Sequence, residues 1–444
     1  MRGGRSVKHG AGAALWLVTA ALVPSGGAWA KDFAIHAGRF IDGTGAAPRQ
    51  KVSILVTDDR ITAIQPGFVT PAGAEVVDLA DKTVLPGLID THDHITAGWH
   101  AGDPIRNTVT RSDFEDAIEA TLFTRNTLLA GFTSVRDCGA NTQVVVALKK
   151  SIEGGVVPGP RMWVAGAALG PTGGHGDPVN GLRAEFADIP HIADNVVDGP
   201  ESARLAVRRL KREGVDLIKI MPSGGVMSIG DDPRHQLMTD EEIKAVIDTA
   251  HALGMKVAAH AHGKEAIDHT IALGVDSIEH GSYADAGSYK LFRQYGAYLV
   301  PTMLVGERVY QRAKEHPEQL NPSTAEKALE IAPLLRRNLH DAYAAGVKIA
   351  FGTDTFGLSK HGENAQEFAL LVGAGMTPMD AIRTATGNAA DLLGSAEVGT
   401  LQAGRYADII AVDGDPLADV KVLENVSFVM KGGAVVKSGG KPLI

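Results

Sequence analysis

The stretch ALGMKVAAHAHG, residues 252–263, carries the pattern from which the fold is read. A helix-forming run ends at Gly254, a residue suited to the left-handed cap that closes a helix. A short run rich in valine and alanine follows, and it finishes in two histidines one residue apart. The helix before it opens with a capping box, Thr239 with Glu242 in TDEE. Because strand residues two apart share a face, His260 and His262 point the same way.

The unit recurs as LLAGFTSVRDCG, KREGVDLIKIMPSGG, ALGVDSIEHG, QYGAYLVPTM and AAGVKIAFGTDT, with Gly131, Gly214, Gly274, Gly296 and Gly346 at the helix ends. Helix, glycine and buried strand in repetition imply a parallel α/β fold. With VLPGLID as the opening strand and about eight units over roughly 310 residues, a (β/α)8 TIM barrel is expected, its chemistry at the strand C-termini. A doubly wound open sheet is the competing arrangement, and it lacks the ring of converging strand ends that the chemistry below needs. Residues 31–84 and 396–444 alternate short β-rich runs with Gly, Asp and Pro turns. The two ends therefore predict one composite β-sandwich domain beside a barrel spanning 85–395.

The first thirty residues differ. Arg2, Arg5 and Lys8 precede the apolar run AGAALWLVTAALV, a break at Pro24 to Gly27, and AWA. That order reads as a signal peptide cleaved after Ala30, hence a periplasmic or secreted protein. The run is shorter than the ~20 residues a membrane span needs, so no membrane association is expected after cleavage. The 444 residues are 44% hydrophobic and 21% charged, enough for a large core. The net charge of −9 falls to −12 without the leader's three cations, which argues against nucleic-acid binding. The single cysteine, Cys138, can form no internal disulfide and reads as packing.

The opening strand itself runs into LPGLIDTHDHITAG, residues 85–98, where His92 and His94 repeat the His-x-His arrangement. Along the other strand ends stand Lys219, His260, His262, His280 and Asp354. Each has a bland reading: a snorkelling lysine, core histidines with internal hydrogen bonds, a helix-capping aspartate. Together they place five of sixteen histidines, a lysine and an aspartate where apolar strands meet their loops. By contrast, His251, His269, His316 and His340 fall on predicted helices and read as surface residues.

This order of residues resembles the metal-dependent amidohydrolase superfamily. PGLIDTHDH is similar to its first-strand signature, and HxH, Lys, His, His, Asp to its two-metal branch. GFTSVRDCG, TGGHGD, IKIMPSGGVMS, AHAHG, IEHG and HGENAQEF resemble secreted bacterial Xaa-Pro dipeptidase and carboxypeptidase-like amidohydrolases, a group that includes ochratoxin A amide hydrolases. The resemblance runs from about Phe33 to Val436.

It implies two divalent metal ions, with zinc expected. His92, His94 and Asp354 would hold one and His260 and His280 the other, bridged by Lys219 as an N-carboxylated lysine. An ammonium has no lone pair to ligate with, whereas its carbamate offers two anionic oxygens. Asp354 is expected to shuttle the proton, His175 in TGGHGD to polarise the substrate carbonyl, and His262 to contact substrate or support the metal site. The absence of a glutamate at position 262 argues against deamination. The implied substrate is a small-molecule or short-peptide amide, cleaved at a C-terminal or N-acyl amino acid. Tyr283 is expected at its carboxylate and Met227 or Met238 at an aromatic side chain, with Asp231 or Asp232 favouring a cationic one instead. A homo-oligomer is expected. Competing readings are a lactonase or phosphotriesterase-like hydrolase on the same two-metal site, an imidazolonepropionase-like ring hydrolase, and a non-catalytic relative.

Overall fold

The computed structural model describes Met1 and residues 32–98, 100, 110–189 and 192–444. The expected leader thus lies outside the described residues, apart from Met1.

Both chain ends meet in one sheet. Strands β1 (Asp32–Phe40), β2 (Arg49–Thr57), β3 (Arg60–Pro66) and β4 (Glu75–Pro86) come from the N-terminal side. After the central units the chain returns as β13 (Ile409–Val412), β14 (Val426–Lys431), β15 (Ala434–Ser438) and β16 (Lys441–Pro442). The ladder runs β16-β15-β14-β13-β4-β1-β2-β3, and β13 pairs antiparallel with the end of β4, Ile409 opposite Pro86. Instead of two separate sheets, the ends make one continuous ladder. Its alternating apolar residues form a shared cluster that joins Ile35, Ile54 and Ile61 to Ile409, Phe428 and Met430.

Between them, among the described residues, lie eight strands: β5 (Leu88–Asp93), β6 (Phe132–Asp137), β7 (Arg161–Val164), β8 (Leu217–Ile220), β9 (Lys256–Ala261), β10 (Ser277–His280), β11 (Tyr298–Val300) and β12 (Lys348–Ile349). They pair in parallel in two runs, β5-β6-β7 and β8-β9-β10-β11-β12. Backbone bonds cross both seams. Leu169, beyond β7, donates to the Lys219 carbonyl at 2.9 Å, and Met221 donates to the Leu169 carbonyl at 2.9 Å. On the other side Thr91 donates to Phe351 at 2.8 Å and Asp354 to His92 at 2.7 Å. The strand expected through FGTDT is regular for only two residues, because from Phe351 onward its backbone bonds turn to Thr384 and to β5.

The six glycines expected at helix ends all take positive φ, from 72° to 106°. The capping box of Thr239 and Glu242 forms on helix Asp240–Ala252. Apolar side chains from the strands and the surrounding helices make the main core, among them Val257, Ile278, Ile243 and Ile267. A pair of helices, Met303–Glu315 and Pro322–Ala344, fills the long connection from β11 to β12 and packs together above the strand ends.

Candidate active site

One cavity of about 320 Å³ opens at the C-terminal ends of the parallel strands. His92, His94, His175, Lys219, His260, His262, His280, Asp354 and Met227 all line it. Strand alternation puts the two His-x-His pairs inward, as their i, i+2 spacing requires. His280 and Asp354 arrive differently, each in a left-handed conformation with φ of 70° and 53°. Thr302, which binds His280, has φ 49°. Such backbone is sparsely populated by non-glycine residues, and here it turns His280, the last residue of β10, and Asp354, five residues beyond β12, toward their neighbours.

Each imidazole is fixed through one nitrogen. Nδ1 of His92 faces Glu279 Oε2 at 2.7 Å, that of His94 the Gly139 carbonyl at 2.7 Å, that of His280 the Thr302 hydroxyl at 2.7 Å, and that of His262 the Ser282 hydroxyl at 2.6 Å. Their Nε2 atoms are left for the cavity. His260 is reversed, its Nε2 donating to the Gly224 carbonyl at 3.2 Å, so that Nδ1 is left. Such partners are what hold metal-binding histidines in one orientation.

The atoms gather in two sets, His92 with His94 and Asp354, and His260 with His262 and His280, with the ligating atoms of each set within 4.8 Å of one another. His262 therefore sits inside the second set. Burial lowers the pKa of His92 to about 4, with Lys219 adding to the effect, and lowers that of His262 to about 3. His260 and His280 lie well below the ordinary histidine value for the same first cause. His94 goes the other way: burial opposes its charge, but the hydrogen bond to Asp354, 3.1 Å away, raises it. Burial disfavours the Asp354 charge, yet His92 and His94 hold its carboxyl well below the usual carboxylate range. Lys219 is 1% exposed, and its side-chain amine makes no ion pair or hydrogen bond among the described residues. The imidazoles of His92, His260, His262 and His280, held toward the neutral form, with His94 beside an ionised carboxylate and a buried amine, make a donor set that suits borderline divalent cations.

Other residues stand elsewhere. Tyr283, expected at a substrate carboxylate, gives its hydroxyl to Glu330 at 2.5 Å and lines a separate shallow pocket with Arg234. The ring packs against the apolar cluster that includes Ile331 and Leu335. Met238 is buried in the main core, away from the cavity. Asp231 and Asp232 are spent on internal partners, Asp231 on Ser228 and Lys327, Asp232 on Arg234. Cys138 is fully buried, which raises its thiol pKa to about 12 and makes it inert.

A group of imidazoles, most of them buried and held neutral, with a carboxylate and a lysine, at the ends of parallel strands, defines a hydrolase-type site able to hold divalent metal. The chain belongs to the amidohydrolase family, whose model matches residues 83–436, and it is a hydrolase acting on amide bonds. Ochratoxinase from Aspergillus niger is 32% identical over 441 residues, covering 93% of this chain and 88% of that protein. Its crystal structure gives a TM-score of 0.82 at 31% identity over 92% of this chain and 96% of that one. A Xaa-Pro dipeptidase crystallised with methionine in its active site is 39% identical, with a TM-score of 0.87 over 92% of this chain and 100% of that one. A prolidase complexed with N-methylphosphonate-L-proline is 32% identical, with a TM-score of 0.84 over the same shares.

Sequence reasoning missed two parts of the site. Glu279 binds His92 and is itself held by Arg136 at 2.9 Å, with its pKa lowered to about 2 by Arg136 and His92 against the effect of burial. An acid inside the apolar run DSIEHG was the available signal. The second part is the apolar side of the cavity: Val305, Gly306 and Val309 on one helix of the pair, Ile331 and Leu335 on the other, and Phe356 beyond Asp354.

Proposed function

We propose that the eight parallel strands close into a (β/α)8 barrel and that this chain is a binuclear metal-dependent amidohydrolase cleaving the amide of a C-terminal or N-acyl amino acid. The backbone bonds across both seams support the closure. Lys219 carries the two-metal reading: a buried amine without a partner among the described residues, it faces the histidines of both sets electrostatically. Its neutral amine adds to the carbon of carbon dioxide and loses a proton, leaving a carbamate with one oxygen for each set.

His92, His94 and Asp354 would hold one ion, and His260 and His280 the other, zinc being the best match for imidazole and carboxylate. When bound, the two ions supply Lewis acidity at the carbonyl and lower the pKa of water. Asp354, ionised beside His94, takes a proton from the attacking water and returns it to the leaving nitrogen. His262 is the remaining candidate for the substrate carboxylate. Ser282 can give its hydrogen to Nδ1, which leaves an N–H at Nε2 to donate. The apolar wall accepts the side chain, with Met227, 36% exposed, at the rim. An aromatic amino acid fits it, phenylalanine amides such as ochratoxin A included. The ochratoxinase and dipeptidase relatives support an amide of this class.

A panel of dipeptides, N-acyl amino acids and their carboxamides, scored by amino acid released, tests the reading. The expected result is release of aromatic residues, with the carboxamides slower by a factor on the order of 10 to 100, the cost of an unpaired polar group. Hydrolysis of lactones or phosphotriesters in place of any amide overturns it.

A further inference from the structure

We infer that Glu367, in the stretch HGENAQEF at residues 361–368, is a positioning residue for His280: it caps the helix Met303–Glu315 in place of Thr302, which frees the Thr302 hydroxyl to orient the His280 ring. The inference rests on the metal-dependent reading above and gives a task to a stretch that the ligand sets leave unused.

A helix preceded by threonine has its cap at hand. The backbone of such a residue is ordinarily extended, and its hydroxyl accepts a hydrogen bond from an N–H of the first turn. Thr302 does neither. Its backbone is left-handed, with φ 49° and ψ 48°, and its side chain makes no bond to the helix that follows. The hydroxyl lies instead 2.7 Å from Nδ1 of His280. The helix finds its acceptor on another element. The N–H groups of Met303 and Leu304 donate to Oε1 and Oε2 of Glu367, at 2.9 and 2.6 Å, and Glu367 belongs to the helix Gln366–Gly373.

Packing alone gives no reason for an acid at this point. Glu367 and Thr302 are fully buried, and among the described residues no cation pairs with the carboxylate. Burying such a group is costly, and burial pushes its pKa up to about 8 while the two N–H groups pull it back. The N-terminal end of a helix favours a negative charge, which offsets part of that cost. A threonine cap with an apolar residue at 367 would satisfy the helix more cheaply, but it would take the hydroxyl away from His280. The first turn that Glu367 holds begins one residue after Thr302, so it fixes where that hydroxyl stands. Asn364, three residues earlier, reaches the first ligand set by a comparable route. It donates to Asp90 Oδ2 at 2.8 Å, and Asp90 Oδ1 accepts the N–H of His92 at 3.1 Å.

The test is a double-mutant cycle of Glu367→Gln and Thr302→Val at a pH of about 9, above the Glu367 value. Zinc affinity is read by competition against a chromophoric chelator. In metal-free protein the ring-¹⁵N signals of His280, assigned through His280→Gln, are read as well. Glutamine offers one acceptor oxygen to two N–H groups. We expect Glu367→Gln to weaken one of the two zinc-binding steps by about 10- to 100-fold, and to change little in the Thr302→Val background, where the orienting hydroxyl is already gone. The His280 signals of Glu367→Gln should move toward those of Thr302→Val. Phe368→Leu loosens the same helix at a ring stacked on Phe351, with centroids 4.5 Å apart. It should lower Tm and leave zinc affinity and the His280 signals as they are. Unchanged affinity in Glu367→Gln, the same loss in both backgrounds, or an equal loss in Phe368→Leu overturns the inference, because each reduces Glu367 to a support of the fold. If Glu367→Gln does not fold, Glu367→Asp takes its place in the cycle, its stem being too short to reach both N–H groups. If the wild type binds fewer than two ions, the two-metal reading fails. The His280 signals of the metal-free variants then decide the matter, and signals unmoved by Glu367→Gln overturn the inference.

Discussion

The two sides of the cavity are built on different terms. Its floor lies at the C-terminal ends of parallel strands, where identity is everything: imidazoles, each oriented by a second partner, with a buried carboxylate and a buried amine. Its wall consists of two helices that approach closely because Gly306 has no side chain and Leu335 lies against it. On the floor a change of one atom alters the chemistry. On the wall it alters only the fit, since apolar residues of similar volume substitute at modest cost.

The largest effect is expected from Lys219→Ala. If the carbamate is the one group shared by both ligand sets, the variant loses bound metal and nearly all turnover, and added acetate or propionate restores part of both. Metal per chain, measured alongside kcat, checks it. Full activity without such rescue would remove the two-metal reading and leave the floor no more specialised than the wall.

Asp354→Asn sharpens the same point. The amide keeps the shape and some ligating power but cannot take a proton, so kcat falls by a factor on the order of 10² or more while metal content falls less. Parallel losses in both quantities would reduce Asp354 to a ligand. Glu279→Gln removes the charge behind His92, and metal affinity should weaken by about 10- to 100-fold, the usual cost of losing such a partner. Competition against a chromophoric chelator measures it, and unchanged affinity would mean that Arg136 and Glu279 serve packing alone.

The same contrast explains what could be read from the sequence. His92, His94, His260 and His262 were legible because imidazoles at an i, i+2 spacing at the end of an apolar strand have no packing reason to be there. The helix-ending glycines were legible because the left-handed cap excludes side chains. Glu279 was not, since in a regular strand it would point away from His280. The left-handed turn at His280 breaks that alternation and lets both side chains reach the His92 ring, one by a hydrogen bond and one with centroids 5.3 Å apart. Tyr283 was misplaced for a related reason: its distance from His280 along the chain could not reveal that Glu330 would claim its hydroxyl. The wall was invisible because Val305, Val309, Ile331 and Leu335 follow the spacing of any core-facing helix. Sequence periodicity does not distinguish a helix facing a cavity from one facing a core.

Acid should act on the floor and spare the wall. His262 is held neutral when folded, with its pKa lowered to about 3 by burial, whereas in the unfolded chain it titrates near 6.5. Below 6.5 the unfolded state binds the extra proton, so this imidazole's contribution is complete above that pH and declines as pH falls toward 3. Between pH 6.5 and 5 one such group accounts for about 2 kcal/mol. Asp90, Asp137 and Glu367, whose burial raises their pKa values to about 6, 6 and 8, slope the opposite way, so the measurement must be a difference. In chelator-treated protein, the wild type should lose more thermal stability from pH 7 to pH 5 than His262→Gln does. Identical losses would show that His262 titrates in the fold much as it does in water.

The smallest and most selective effect belongs to the wall. A Cβ at Gly306 would meet Leu335 Cδ1 at 2.5 Å, and that atom is the end of a flexible side chain. Gly306→Ala gains up to about 1 kcal/mol in helix propensity and in return pushes the leucine aside, toward the space where the substrate side chain is proposed to lie. Overall stability should therefore change little, and metal content not at all. The kcat/KM for N-acyl phenylalanine should drop by about tenfold, the scale of one or two methylenes in an apolar pocket, while N-acyl alanine is unaffected. Leu335→Ala alone costs about 2 to 5 kcal/mol of stability by leaving a cavity. Combined with Gly306→Ala, it should return the phenylalanine substrate toward its original rate, because the crowding atom is gone. Equal losses for the phenylalanine and alanine substrates in Gly306→Ala would mean that the helix pair shapes the floor as well as the wall.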